Sequence, residues 1–589
     1  VDYLKYMRRT HLTMKKLVFD IEADGLNPTK IWCIVAKDLD EGTCRTFNPN
    51  QLLDGVEYLQ SADVLIGHNI IGYDIPAIEK IMDVKLNTKV VDTLVMSRLF
   101  QPVRENGHSL KTWGYRINFY KQEQPDDFDS YTPQMLEYCE QDVLLNEKVY
   151  YALLKEGVGF SQESIELETQ VAEIINQQEK TGFLFDLEKA TMLLAQLKSR
   201  MVEVEDEVQR TFKPKWVDDK LVTPYIKKDG TLSKRGMTDE EYEKCLTTKN
   251  YDPFMRRKLQ EFNLGSRKQI GEYLVDFGWK PERFTPTGQP IVDEGTLKKI
   301  EHIQEARLIA EFLLLQKRIA QISSWIDELQ GERVHGKVIP NGTITGRMTH
   351  RNPNMAQIPG VYSPYGEDCR ACWIVPEGYK LLGIDASGLE LRMLAHYMND
   401  EEYIDEVING DIHKTNQELA GLESRDKAKT FIYALIYGAG DEKLGKVVGG
   451  KREDGKRLRE RFLTNLPSLE TLTRRVREAS RRGFLKGLDG RKIYVRHEHA
   501  ALNTLLQGGG AIAMKKAMCI FDNKIKLNTL DAKFVANIHD EWQMQVKEDI
   551  AEFTGLMGVE CIEEAGKQLG MRCALTGEYK LGGNWSETH

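Results

Sequence analysis

The chain has 589 residues, 41% hydrophobic and 29% charged with 18 prolines, too long for one core and in keeping with about three or four domains. No apolar run approaches the ~20 residues that span a bilayer. Val1–Thr13 lacks a signal-peptide h-region, and nine scattered cysteines argue for a reducing compartment over a disulfide framework.

Met14-Lys15-Lys16-Leu17-Val18-Phe19-Asp20 has the form of a natural start; residues 1–13 are set apart from fold reasoning, and 1–15 is assigned as a leader or tag-like extension. Leu17-Val18-Phe19, Ile31-Trp32-Cys33-Ile34-Val35 and Val64-Leu65-Ile66 alternate with helical stretches and predict an α/β domain. Asp20 and Glu22 end the first strand at i and i+2, on one face. Asp74 follows in His68–Asp74, and Tyr138 and Asp142 fall at i and i+4 of a predicted helix, on one side of it. Four acids and a tyrosine in that order suit two metals and an oriented water for phosphodiester hydrolysis. Asp92, before Thr93-Leu94-Val95, reads as a structural cap.

From Ser164 the period turns helical, with Ile165, Leu167, Val171, Ile174 and Ile175 predicting a long helix that ends near Thr181-Gly182. A polar interval, Lys213–Arg257, carries turn signals at Asp229-Gly230 and Arg235-Gly236. Helical pattern returns from Arg267 to Leu329. Cys369 and Cys372, in a CxxC without a second ligand pair, read as small buried thiols.

The last 250 residues hold two strand-borne acids. Leu381, Leu382 and Ile384 lead into Asp385; Phe534, Val535 and Ile538 lead into Asp540. Carboxylates on neighbouring strands can hold two divalent cations ~3.5–4 Å apart, the arrangement for in-line phosphoryl displacement. Between them, Arg425, Lys429, Tyr433 and Tyr437 step 40° apart round a predicted helix. Taken alone, that stripe fits either a grip on a nucleotide or an amphipathic helix with a core aromatic face. Asp441–Arg496 holds 17 Lys and Arg against 8 Asp and Glu, a local +9 within a chain of net −9. Arg474, Arg475, Arg477, Arg481 and Arg482 are its densest part. Beside a phosphoryl-transfer site this run is read as a phosphate-backbone track rather than a merely solvated face.

These segments, with Thr345–His350, Asn354–Pro359 and Gly487–Lys492, resemble family A (DNA polymerase I-like) replicative DNA polymerases, and within them the T-odd podovirus phage enzymes. The N-terminal acids resemble the three exonuclease motifs of the DnaQ-like (RNase H-like) 3′–5′ proofreading fold. The resemblance implies an α/β and α+β multidomain chain: exonuclease over 16–155, thumb over 156–335 with a short insertion at 213–257, first part of the palm over 336–410, fingers over 411–486, second part of the palm over 487–589. It implies a DNA-directed DNA polymerase with proofreading, using Mg²⁺ (two per active site, Mn²⁺ substituting), primer-template DNA and dNTPs in the cytoplasm of a bacterial host. By it, Asp385 and Asp540 bind the polymerase metals, while Asp20, Glu22, Asp74 and Asp142 hold the exonuclease metals and Tyr138 positions the water. Glu390 excludes a ribose 2′-hydroxyl. His413, Arg425 and Lys429 contact the triphosphate, with Lys429 the acid for the leaving pyrophosphate; Tyr433 sits by the deoxyribose 3′ position and Tyr437 near the nascent pair. Arg347 and Gln507 probe the minor groove, His539 lies against the primer terminus, and Ser266, Arg267 and Lys268 set a helix N-terminus against the duplex backbone.

A helicase-primase partner is left open. Host thioredoxin is the doubtful one, because 213–257 is shorter and more mixed in charge than the basic insertion that recruits it in the phage relatives. A single-subunit RNA polymerase is disfavoured by Glu390 and the N-terminal acids. A decayed scaffold, or a repair polymerase with an inert exonuclease, is disfavoured by the complete carboxylate sets.

Overall fold

The computed structural model describes residues 14–589 apart from Asp126; residues 1–13 of the expected leader lie outside the described residues. The chain divides into two units, one of Leu187–Asp327 and one of the segments on either side.

Near the N-terminus a five-stranded sheet forms from β1 (Lys16–Ala23), β2 (Ile31–Asp38), β3 (Cys44–Phe47), β4 (Val64–Gly67) and β5 (Lys89–Asp92), in the order β3-β2-β1-β4-β5. β1 pairs antiparallel with β2 and parallel with β4. Leu17, Val18 and Phe19 are fully buried, as a central strand covered on both faces requires. Helices α1 (Leu52–Gln60), α2 (Asp74–Met82), α3 (Thr93–Phe100), α4 (Leu110–Ile117) and α5 (Pro133–Glu156) complete the alternation read in the sequence. α5 starts where Thr132 accepts from Met135 N, with Pro133 in its first turn. Asp92 is the N-cap of α3, as expected: it accepts from Leu94 N (2.9 Å), and also from Asn69 N (2.9 Å) and Ile71 N (3.1 Å). α6 (Gln162–Thr181) ends at Gly182 with φ +64°, where the sequence placed its stop.

In the other unit, α7 (Leu187–Thr211) precedes a ribbon of β6 (Lys215–Val222) and β7 (Phe254–Gln260), whose strands flank α8 (Asp239–Thr248). The polar interval is therefore structured, and Trp216, Leu221, Met255 and Leu259 on the ribbon are exposed. The helical stretch expected over Arg267–Leu329 is instead three helices, α9 (Arg267–Asp276), α10 (Glu294–Lys299) and α11 (Gln304–Asp327). Pro281, Pro286 and Pro290, with Gly278 and Gly288 at positive φ, break the pattern between α9 and α10. α11 packs on α7.

The C-terminal part is built on an antiparallel four-stranded sheet, β8 (Tyr379–Ala386), β9 (Ala532–Ile538), β10 (Glu541–Lys547) and β11 (Gly577–Gly582), in the order β9-β10-β8-β11. Inserted between β8 and β9 are α12 (Leu389–Met398), α13 (Glu401–Asn409), α14 (Ile412–Ala420), α15 (Arg425–Ile436), α16 (Asp441–Val447), α17 (Arg452–Asn465), α18 (Pro467–Ser480) and the long α19 (Ala501–Leu527). α20 (Ala551–Gln568) packs on α19 and β8, and α6 packs on α19 and β9. One hydrophobic core runs from α6 through this sheet to α15 and α17. None of the nine cysteines is joined in a disulfide, and Cys369 and Cys372 are fully buried. No helix among the described residues is long and apolar enough to cross a membrane.

Candidate active sites

The pleat of β1 sends Asp20 and Glu22 to one face, and donor atoms of Asp20, Glu22 and Cys139 lie within 4.8 Å of one another. α2 begins at Asp74, whose Oδ1 accepts from Ile21 N at 3.2 Å and so ties it to β1. Tyr138 and Asp142, one turn apart on α5, are both buried. The five residues singled out at the N-terminus therefore come together. Burial, and then repulsion from Asp74, Asp142 and Glu22, holds the Asp20 carboxyl well above its usual range. Burial and the neighbouring acids push Glu22 up to about 8, and burial pushes Asp74 up to about 7. Asp142 Oδ1 is buried without a hydrogen-bond partner. An oxygen-rich, self-repelling cluster with an orphaned carboxylate oxygen fits a hard divalent cation. Burial raises the Cys139 thiol well above its ordinary value.

One residue here escaped the sequence reading. Lys121, in the connection before α5, places Nζ 2.5 Å from Asp142 Oδ2 and 4.7 Å from the Tyr138 ring centroid. A lone lysine in a polar loop carries no spacing signal.

At the second site Asp385 lies near the end of β8, and Asp540 in the tight connection from β9 to β10. His539, just before it, has φ +58°. Ala386 N–H donates to Asp540 O at 3.2 Å, which brings two acids distant in sequence together. Burial, then Asp540 and Glu541, pushes Asp385 up to about 7; burial, then Glu390, pushes Asp540 up to about 6. Two such carboxylates suit a divalent cation as the first cluster does. Glu390, in the first turn of α12, accepts from Tyr437 Oη at 3.0 Å and from Arg347 Nη2 at 3.2 Å. Its carboxylate is thus fixed before any ligand arrives.

α15 carries the stripe. Ser424 caps it and Gly438 (φ +76°) turns the chain after it. The Tyr433 and Tyr437 rings stand 6.3 Å apart at 25°, and His413 on α14 is 6.2 Å from Tyr433. Arg425 and Lys429 are exposed, but Arg425 Nε is bonded to Asp411 Oδ2 at 2.8 Å, a partner the sequence reading did not supply. Arg347, Gln507 and His539 line one groove of about 500 Å³, together with Arg496 and Asn503. Ser266 caps α9, accepting from Gln269 N, with Arg267 and Lys268 in its first turn; these three belong to the other unit. The five arginines Arg474, Arg475, Arg477, Arg481 and Arg482 are all exposed.

Glu541, next to Asp540, is not a third free acid. It accepts from Trp585 Nε1 (2.8 Å) and Gln543 Nε2 (2.7 Å), with His589 Nδ1 at 2.9 Å. Burial pushes its carboxyl up, but His589, Trp585 and Arg370 together outweigh burial and hold it below its ordinary value. A second unforeseen cluster is a buried charge network. Glu168 on α6 accepts from Lys515 Nζ at 2.8 Å and from Arg491 Nη1 at 2.5 Å, and Asp489 accepts from Arg491 Nε at 2.8 Å.

Residues 237–587 match the protein family described as DNA polymerase family A. The chain is 34% identical to the DNA-directed DNA polymerase of Enterobacteria phage T3, over 97% of this chain and 100% of that one. It is 33% identical to the DNA-directed DNA polymerase of Escherichia phage T7 at the same coverage, 97% and 100%. Its fold matches the POL domain of Pol1 from M. smegmatis, solved in complex with DNA primer-template and dNTP, with a TM-score of 0.77 at 17% identity, covering 99% of this chain and 98% of that one.

Proposed function

The chain belongs to DNA polymerase family A, and from that premise we propose that it is the replicative DNA-directed DNA polymerase of a phage, with an N-terminal 3′–5′ proofreading exonuclease of DnaQ-like fold. The domains assigned are exonuclease 16–155, thumb 156–335, palm 336–410 and 487–589, and fingers 411–486. The observation that carries the polymerase reading is the pairing of Asp385 with Asp540 beside a groove lined by Arg347, Gln507 and His539.

Asp385 and Asp540 would hold the divalent cations, Mg²⁺ by the hardness of their oxygens. When bound, the metals neutralise charge on the reacting phosphate and activate the attacking oxygen. The protein's own residues do the positioning. Glu390, held by Arg347 and Tyr437, fills the space where a ribose 2′-hydroxyl would sit and so selects deoxynucleotides. Arg425 leaves Asp411 for the triphosphate, His413 and Lys429 bind beside it, and Lys429 protonates the departing pyrophosphate. Tyr433 meets the sugar at its 3′ side and Tyr437 closes against the nascent pair. Arg347 and Gln507 test the minor-groove acceptors of the primer end, His539 supports its terminus, and Ser266, Arg267 and Lys268 anchor the duplex backbone. In the exonuclease, Asp20, Glu22, Asp74 and Asp142 would hold the metals while Tyr138 orients the attacking water. The exposed arginines of α18 run along phosphates.

The enzyme works in the cytoplasm of a bacterial host. A helicase-primase is a candidate partner, and thioredoxin is not assigned as one; a pull-down with processivity measured with and without thioredoxin decides that point. Primer extension on a primed single strand with Mg²⁺ and four dNTPs tests the polymerase reading. Asp385→Ala must abolish extension, and extension that survives it overturns the assignment.

A further inference from the structure

Lys121 joins the two residues of the N-terminal cluster that act through geometry rather than through strand position. Its ammonium is 2.5 Å from Asp142 Oδ2 and 4.7 Å from the centre of the Tyr138 ring, and its charge opposes the rise that burial gives the Tyr138 hydroxyl. Tyr138 and Asp142 share one face of α5, so a single cation spans both. Its side chain is mostly enclosed, at 21% exposure, against 5% for Asp142. The same ammonium lies in the field of Asp20 and Glu22. A charge placed so deeply among three carboxylates, those of Asp142, Asp20 and Glu22, is more than a surface ion pair, which would contribute little.

We propose that Lys121 is a positioning residue of the exonuclease: it holds the Tyr138 hydroxyl and the Asp142 carboxylate in one arrangement, and it occupies the cluster as a cation that an incoming divalent metal must displace from Asp142. The inference rests on the exonuclease reading given above. It has two consequences of opposite sign. Without Lys121 the Tyr138 hydroxyl loses its anchor and hydrolysis slows. Without Lys121 the metal also meets no competitor at Asp142 and binds more tightly. A side chain that only stabilised the fold would loosen both.

The test compares the full chain with Lys121→Gln and Lys121→Arg on a labelled single-stranded oligodeoxynucleotide with Mg²⁺ and no dNTPs. Asp142→Asn serves as the inactive reference, and primer extension shows that each variant is folded. Lys121→Gln is expected to lower kcat by roughly 10–100-fold, the usual effect of removing a group that orients a ligand, with KM for the strand little changed. Lys121→Arg is expected to recover most of the loss. Metal binding is read separately by calorimetric titration with Mn²⁺, each protein also carrying Asp385→Ala and Asp540→Ala so that the N-terminal cluster alone is counted. There Lys121→Gln should bind Mn²⁺ several-fold more tightly than its parent. Turnover within twofold of wild type, or weaker Mn²⁺ binding in Lys121→Gln, overturns the inference and leaves the exonuclease standing. A wild-type chain that extends primers yet degrades no strand overturns the exonuclease reading and the role of Lys121 with it.

Discussion

Glu168→Leu is the most informative single perturbation of the fold. Glu168 is fully buried and accepts from Lys515 Nζ at 2.8 and 2.9 Å and from Arg491 Nη1 at 2.5 Å. In the native network its charge and that of Asp489 balance Arg491 and Lys515. After substitution Arg491 keeps its bonds to Asp489, but Lys515 keeps only Asn341 Oδ1 at 3.0 Å, and one positive charge is buried uncompensated. Breaking a buried pair in this way costs about 3–5 kcal/mol. At roughly 2–4 °C per kcal/mol for domains of 150–250 residues, the midpoint of thermal unfolding should fall by about 6–20 °C, towards the low end in so large a unit. Differential scanning calorimetry reads the shift. Glu168→Leu/Lys515→Met removes one charge of each sign and should cost less than Glu168→Leu alone, because an apolar replacement for a buried pair is often nearly neutral. A single variant within 1 °C of wild type, or a double variant worse than the single, would refute the reasoning.

Asp92→Ala leaves three backbone N–H groups without their acceptor and should cost about 2–4 kcal/mol, seen as faster amide exchange over residues 69–94. Tyr433→Phe should raise discrimination against dideoxynucleotides by roughly 5–150-fold, the worth of about 1–3 kcal/mol for one hydroxyl contact; the ratio of ddNTP to dNTP incorporation checks it, and an unchanged ratio removes Tyr433 from that role. Without metal, Glu22 at about 8, Asp74 and Asp385 at about 7 and Asp540 at about 6 all titrate above their unfolded values. The native state then binds more protons than the unfolded one, so stability in EDTA falls as pH rises from 6 to 8. Added Mg²⁺ should accordingly raise the melting temperature more at pH 8 than at pH 6.

What could be read directly from the chain follows the local periods. Asp20 and Glu22 at i and i+2, Tyr138 and Asp142 at i and i+4, and an acid closing each of two apolar runs are patterns set by strand and helix geometry. Asp92 as a cap and Gly182 as a helix stop are equally local, and the structure bears both out. The helical reading across 277–293 failed because apolar spacing outweighed three prolines that should have ended it. Lys121, the clasp of Trp585 and His589 on Glu541, and the Glu168–Arg491–Lys515 network have no local signature. Glu168 meets Arg491 323 positions away, and the packing of α6 on α19 brings it to Lys515. The exposed apolar side chains of the β6–β7 ribbon were hidden in the same way, inside an interval read for its charge.

The most direct test of two separate metal-dependent sites in one chain uses one primed template with Mg²⁺, with and without dNTPs, and three proteins. Wild type should extend the primer with dNTPs and shorten it without them. Asp540→Ala should only shorten it, and Asp20→Ala/Glu22→Ala should only extend it. Loss of both activities in either variant, or a wild type that binds the template and changes it in neither direction, would contradict the assignment of the two carboxylate sets.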